Sequence, residues 1–207
     1  MSIIALAISI VFALSNTAFA AGGSEKKTTL SADRLATADR LYNEGLKHRD
    51  KAWEYEKQAK GVSGSDRSTY LNSAEREFGR AIEKFKLATK ENSRLYQAFS
   101  SLGYCQRKTG KYEDALKSYD RALRMASAYA EAIEYRAEAN ILLGRLRDAL
   151  SDYDRLVKLD QEKAKLFLAV ASDWLKGREV TGEEMKAFSD RVASESKRMG
   201  PPAASTW

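Results

Sequence analysis

The chain has 207 residues, 43% of them apolar, so it can bury one sizeable core but is short for two domains and a targeting segment. It holds only two prolines, both near its end, and its richness in Ala, Leu, Glu, Lys and Arg favours an all-α fold. The net charge of +6 arises from 35 basic and 29 acidic residues that are interspersed without a block of one sign. This pattern is typical of solvated helices and does not predict a nucleic-acid partner.

The first twenty residues are typical of a secretory signal. An almost wholly apolar run, Ile3 to Leu14, is too short to cross a bilayer comfortably, and Ala18 and Ala20 follow it at the small-residue positions of a cleavage site. We therefore predict a signal peptide over residues 1–20 and a periplasmic or secreted mature protein with no membrane segment. No Lys or Arg precedes the apolar run, so an uncleaved signal that anchors the protein in the membrane is the alternative.

Two long helices are expected to follow. After a polar linker over residues 21–30, apolar residues at spacings of three and four from Ser31 to Lys60 predict one long amphipathic helix or two nearly continuous ones. A glycine- and serine-rich break then precedes a second helix, which we expect over Ser68 to Glu91 with Leu71 on its apolar face. These two helices should form a long antiparallel hairpin over residues 31–93.

The next part of the sequence repeats itself with a step of 34 residues. Identical residues recur at eight pairs of positions, namely Ala98, Gly110, Asp114, Ala115, Leu116, Tyr119, Asp120 and Arg121, which return as Ala132, Gly144, Asp148, Ala149, Leu150, Tyr153, Asp154 and Arg155. One step backwards from the second-helix residues reaches a matching set in the long hairpin, Ala81, Ile82, Phe85 and Ala88. Three second helices therefore share one register.

This period resembles that of the tetratricopeptide repeat, a helix-turn-helix unit. The best copy has the expected large and small packing residues, which are Phe99, Leu102, Gly103, Ala115, Tyr119 and Ala122. The resemblance implies a solenoid of stacked antiparallel helix pairs, and together with the predicted signal peptide it indicates an exported bacterial-type protein. It places a degenerate unit in residues 31–93, two units in 94–162, capping helices in 163–199 and a flexible tail in 200–207.

One pair of positions departs from this repeat together. Arg136 stands where the preceding copy has Leu102, and Asp152 stands where it has Ser118. The two replacements occur on the first and second helix of one unit, and their charges are opposite. We therefore predict a structural ion pair between Arg136 and Asp152.

Catalytic and metal-binding patterns are not found in the sequence. A single histidine, His48, cannot build a histidine-rich metal site, and a single cysteine, Cys105, gives neither a zinc-binding spacing nor an internal disulfide. Cys105 lies where the next repeat has Ala139, which indicates a buried, inert thiol. We predict no catalytic residue, no metal, no cofactor and no enzymatic activity.

The resemblance implies that the first helix of each unit lines a concave groove that binds another protein. The positions left over after packing are Gln97, Ser100, Tyr104, Arg107 and Lys108 on one first helix and Glu131, Glu134 and Glu138 on the next. We expect the basic pair to attract acidic residues of a partner and the three glutamates to attract basic ones. The chain would then be an adaptor or scaffold of the cell envelope. The alternative is a structural module that associates with itself, as a homo-oligomer, and has no peptide-binding groove.

Overall fold

The computed structural model describes residues 30–203. Within this range it contains no strands and eight α-helices, which are α1 (Ala32–Lys60), α2 (Gly64–Glu91), α3 (Tyr96–Lys108), α4 (Tyr112–Met125), α5 (Ala130–Leu142), α6 (Leu146–Leu159), α7 (Gln161–Leu175) and α8 (Glu183–Met199). The predicted all-α fold is confirmed. The proposed signal peptide, the linker up to residue 29 and residues 204–207 of the tail lie outside the described residues.

Consecutive helices pack as pairs, α1 with α2, α3 with α4 and α5 with α6, and each pair stacks on the next through α2 with α3 and α4 with α5. The first helices also meet one another, α1 with α3, α3 with α5 and α5 with α7. The second helices carry the shared register. Its residues Ala81, Phe85, Ala115, Tyr119, Ala149 and Tyr153 are each fully buried. The first helices therefore form one continuous surface.

A glycine facing an aromatic ring brings the helices of a pair together. A Cβ on Gly103 would lie 2.7 Å from Cε1 of Tyr119, so a larger residue would push α3 away from α4. Gly45 of α1 faces Phe85 of α2 in the same way, at 2.5 Å from Cε1. The first pair thus shares this contact with the second, and its two helices, of 29 and 28 residues, extend beyond it.

The hairpin of α1 and α2 differs from the expectation in the start of α2 and in the position of Leu71. Helix α1 is one unbroken helix, which was one of the two expected forms. Helix α2 begins at Gly64, four residues before the predicted start. Leu71 is 43% exposed and is not on a buried face, so that prediction was wrong. The buried positions of this region are small, Ala59 and Ala74, and two helices that meet through alanines leave a bulkier side chain outside.

Helices α7 and α8 close the stack. Phe167 and Ala171 of α7 and Phe188 and Val192 of α8 are buried. Helix α8 packs on both α6 and α7, where the Tyr153 hydroxyl donates a hydrogen bond to the Glu195 carboxylate at 2.8 Å. Across residues 30–203, no helix is both long enough and apolar enough to cross a bilayer.

Candidate partner-binding groove

A groove of about 360 Å³ opens where the first helices α1, α3 and α5 lie side by side. Helix α1 lines it with four side chains, Tyr42, Leu46, Arg49 and Trp53. These positions are spaced by four, three and four residues, so they form one stripe along the helix. The stripe is separate from the residues with which α1 packs against α2, such as Ala38, Gly45 and Ala52, which are buried.

The other wall and the floor come from α3, α5 and the residue before α5. They contribute Ser100, Ser101, Tyr104, Tyr129, Glu131 and Tyr135. Together with the residues of α1, five of the lining side chains are aromatic. The aromatic rings give the groove apolar faces with polar tips, a combination that is common in protein-binding sites.

Tyr104 lies at the centre of these rings. Its ring centroid is 5.7 Å from that of Trp53 on α1 and 5.0 Å from that of Tyr135 on α5. The indole Nε1 of Trp53 donates a hydrogen bond to the Tyr104 hydroxyl oxygen at 2.7 Å. Burial raises the pKa of Tyr104 to about 12, so the hydroxyl keeps its proton at neutral pH. Because its oxygen accepts from Trp53, this proton remains available to a ligand.

Ion pairs join each first helix to the next. The three pairs are Glu56 with Lys108 between α1 and α3 at 2.7 Å, Arg107 with Glu138 between α3 and α5 at 2.6 Å, and Glu134 with Lys163 between α5 and α7 at 2.8 Å. We call these six residues the ion-pair ladder. The ladder engages four of the side chains that the sequence assigns to partner binding.

Two rungs of the ladder, Arg107 with Glu138 and Glu134 with Lys163, are largely buried. The Arg107 and Glu138 side chains are only 13% and 9% exposed. Burial lowers the pKa of Arg107, but the charge of Glu138 outweighs it and leaves that pKa raised, so the guanidinium stays charged. Burial raises the pKa of Glu134 to about 7, against the opposing effect of Lys163. These groups hold neighbouring helices together, and little of their charge faces solvent.

The predicted groove residues therefore divide into groups. Ser100, Tyr104 and Glu131 line the groove, and Gln97 is half-buried outside its lining. The other four belong to the ion-pair ladder. Sequence reasoning missed the contribution of α1, although the stripe from Tyr42 to Trp53 at helical spacing was a signal that could have revealed it.

Arg136 lies between the helix pairs. Its Nε and Nη2 atoms donate to the two carboxylate oxygens of Asp152 at 2.8 and 2.6 Å, and its Nη1 donates to Asp120 of α4 at 2.6 Å. A polar pocket of about 250 Å³ adjoins this cluster. Arg136 thus links the second helices of two consecutive pairs through a first helix.

Cys105 and His48 occupy structural environments. Cys105 is fully buried, and this burial raises the pKa of its thiol to about 12. His48 Nδ1 is 2.6 Å from a carboxylate oxygen of the buried Glu77. Within residues 30–203, no group of three His, Cys, Asp or Glu side chains is placed to hold a metal ion.

Comparison with known proteins agrees with this geometry. Residues 96–129, which span α3, α4 and the turn after them, match the family model of the tetratricopeptide repeat. Residues 96–129 are therefore a tetratricopeptide repeat. Among solved structures, the chain is similar to "Arabidopsis OM64 TPR domain", with 12% identity, a TM-score of 0.45 and coverage of 75% of this chain and 98% of that one. A search of curated proteins by sequence finds no significant match.

Proposed function

We propose that this repeat protein is an adaptor that acts by binding alone, and that it holds an extended segment of another protein in the groove between α1, α3 and α5. The tetratricopeptide repeat over residues 96–129 supports a protein–protein interaction module. The observation that supports the groove as the binding surface is the row of rings from Trp53 through Tyr104 to Tyr135. Aromatic side chains in a concave site bury much area at little cost in conformational entropy.

The charged residues predicted to attract a partner are paired with residues of neighbouring helices. Arg107 and Lys108 each have a carboxylate partner on a neighbouring helix, so they are poorly placed to attract acidic residues. Glu134 and Glu138 are likewise paired and buried. Recognition through the aromatic rings follows more directly from the geometry than recognition through charge.

We also propose that the adaptor works in the cell envelope after export. The apolar run Ile3 to Leu14 and the small residues Ala18 and Ala20 support this proposal. The mass of the mature protein, purified from an envelope fraction, tests it. A protein that begins at Ala21 would support export and release, whereas a protein that keeps Met1 and stays with the membrane would support the anchored alternative.

Site-specific crosslinking in cells tests the groove. A photo-crosslinking amino acid at Ser101 lies in the lining, and the same group at Lys117, 77% exposed on the second helix α4, is a matched control. We expect a discrete crosslinked partner from position 101 that disappears in a Tyr104→Ala background. Equal capture from both positions would contradict the proposal, and a crosslink to a second copy of the chain would support the self-associating alternative.

A further inference from the structure

We propose that the segment bound in the groove is proline-rich and adopts the polyproline II conformation. This inference rests on the proposed function and names its ligand class. It follows from three properties of the lining, which are its charge, its ring spacing and its free hydrogen-bond donors.

The charge of the lining is balanced and internally engaged. It contains one basic side chain, Arg49, and one acidic side chain, Glu131. The Arg49 guanidinium donates to Asp50 and lies 4.2 Å from the centre of the Trp53 ring, while Glu131 accepts a hydrogen bond from the Tyr129 hydroxyl. A groove with no net charge to offer selects a neutral segment over an acidic or a basic one.

The three rings form a row whose length suits about one turn of a helix with three residues per turn. The steps from Trp53 to Tyr104 and from Tyr104 to Tyr135 are 5.7 and 5.0 Å between centroids. One turn of polyproline II is about 9 Å long, slightly less than the sum of these two steps, which is the greatest length that the row can have. Proline-rich segments dock on aromatic-lined grooves, because their backbone is already ordered before they bind.

Other ligand conformations fit the lining less well. An amphipathic helix requires a continuous apolar groove for its apolar stripe, whereas this lining interrupts its rings with serine and charged side chains and has one aliphatic side chain, Leu46. Polyproline II has no internal hydrogen bonds, so its carbonyl groups need external donors. The Tyr104 hydroxyl supplies a donor, since Trp53 occupies its acceptor side, and Ser101 beside it supplies a second hydroxyl.

Fluorescence titration tests the proposal. A Trp174→Phe/Trp207→Phe variant leaves Trp53, in the groove, as the remaining tryptophan. The probe is a decaproline peptide with blocked ends, and the controls are blocked decapeptides of glutamate, of lysine and of alternating glycine and serine. We expect decaproline to change the Trp53 emission saturably and at least about tenfold more tightly than any control. Its affinity should be nearly the same at low and high salt.

Matched tyrosine variants locate the binding. Tyr104→Phe keeps the ring and removes the hydroxyl, and should weaken decaproline binding about fivefold, as the loss of one hydrogen bond does. Tyr104→Ala should abolish it. Tyr55→Ala is the control, because Tyr55 stacks on Tyr70 of the same hairpin and is not in the lining. Circular dichroism checks that each variant stays helical.

The outcomes separate this inference from the proposed function. Preferred binding of the glutamate or lysine peptide, or decaproline binding that is unchanged by Tyr104→Ala, would overturn the polyproline proposal. If decaproline fails to bind while the cellular crosslink from position 101 still depends on Tyr104, the ligand class is wrong and the groove remains the binding surface. If that crosslink is also independent of Tyr104, both proposals fail.

Discussion

Asp152→Ala is the substitution that most directly tests the packing between repeats. The Asp152 side chain is only 3% exposed and receives two hydrogen bonds from Arg136. Removing one partner of a buried pair costs about 3–5 kcal/mol, because it leaves the other charge buried without a counterion. In this cluster Arg136 keeps Asp120, whose side chain is 46% exposed, and the guanidinium is itself 23% exposed. We therefore expect a smaller loss, about 2–3 kcal/mol.

Thermal and urea unfolding measure this loss. For a domain of this size about 2–3 kcal/mol corresponds to a fall in melting temperature of roughly 4–12 °C. Burial lowers the pKa of Arg136, but hydrogen bonds and charge from Asp152 and Asp120 raise it above its usual value. The variant loses the contribution of Asp152, but an arginine side chain is not deprotonated in proteins, so the guanidinium stays charged and the cost cannot be avoided by deprotonation.

The preceding repeat supplies the rescue. Its Leu102 and Ser118 occupy the equivalent positions, and the Ser118 hydroxyl donates to Gln106 Oε1 at 2.7 Å. Arg136→Leu/Asp152→Ser should recover much of the loss. Adding Asn140→Gln, which restores the equivalent of Gln106, should recover more. If the effects of Arg136→Leu and Asp152→Ser on the free energy of unfolding are simply additive, the two side chains are not coupled and the argument fails.

Three further predictions concern the core and the ladder. Gly103→Ala should cost about 1–3 kcal/mol of stability, because the new Cβ would lie 2.7 Å from the buried Tyr119 ring. Gly79→Ala should stabilise α2 by about 0.5–1 kcal/mol, because its Cβ would meet no neighbouring side chain within 4 Å. Urea unfolding of both variants measures this contrast. Burial raises the pKa of Glu134 to about 7 from an ordinary 4.5, so the stability of the wild type should fall as the pH rises from about 4.5 to about 7. Glu134→Gln cannot titrate, so its melting temperature should rise relative to that of the wild type across this pH range. Cys105 should react with a thiol reagent only as fast as the protein unfolds, and rapid labelling of the native protein would contradict its burial.

The fold could be predicted because the residues that pack between the helices recur in the sequence every 34 residues. Ala115 and Tyr119 are buried, and so are Ala81 and Phe85, which the 34-residue step connects to them. The 34-residue period could not predict which side chains are buried in the long hairpin of α1 and α2, where the helices extend beyond the repeat. Leu71 has the right spacing for a core face, but it is 43% exposed in the extension of the hairpin.

The site could be predicted only in part, because a repeat register shows which helix face a residue occupies and not what lies opposite. Arg107 and Glu138 both fall on the first-helix face, as expected, yet they face each other at 2.6 Å and not a partner. These residues are 31 positions apart, and their contact depends on the distance between α3 and α5, which a local sequence pattern does not specify. Trp53 was missed because an aromatic residue in a helix is most often a core residue, and this one is half-buried in the groove.

The ion-pair ladder and the aromatic groove belong to one design. Stacked helix pairs can change their curvature by small rotations between repeats, and such rotations would alter the distance between the rings of Trp53, Tyr104 and Tyr135. Each rung of the ladder joins two first helices near these rings, and the Lys163 ammonium lies 6.0 Å from the centre of the Tyr135 ring. If the groove binds a partner as we propose, the rungs fix the separation of the first helices before that partner arrives, and binding would not have to order the groove. Charges held between the helices would then contribute to affinity through preorganisation without touching the partner.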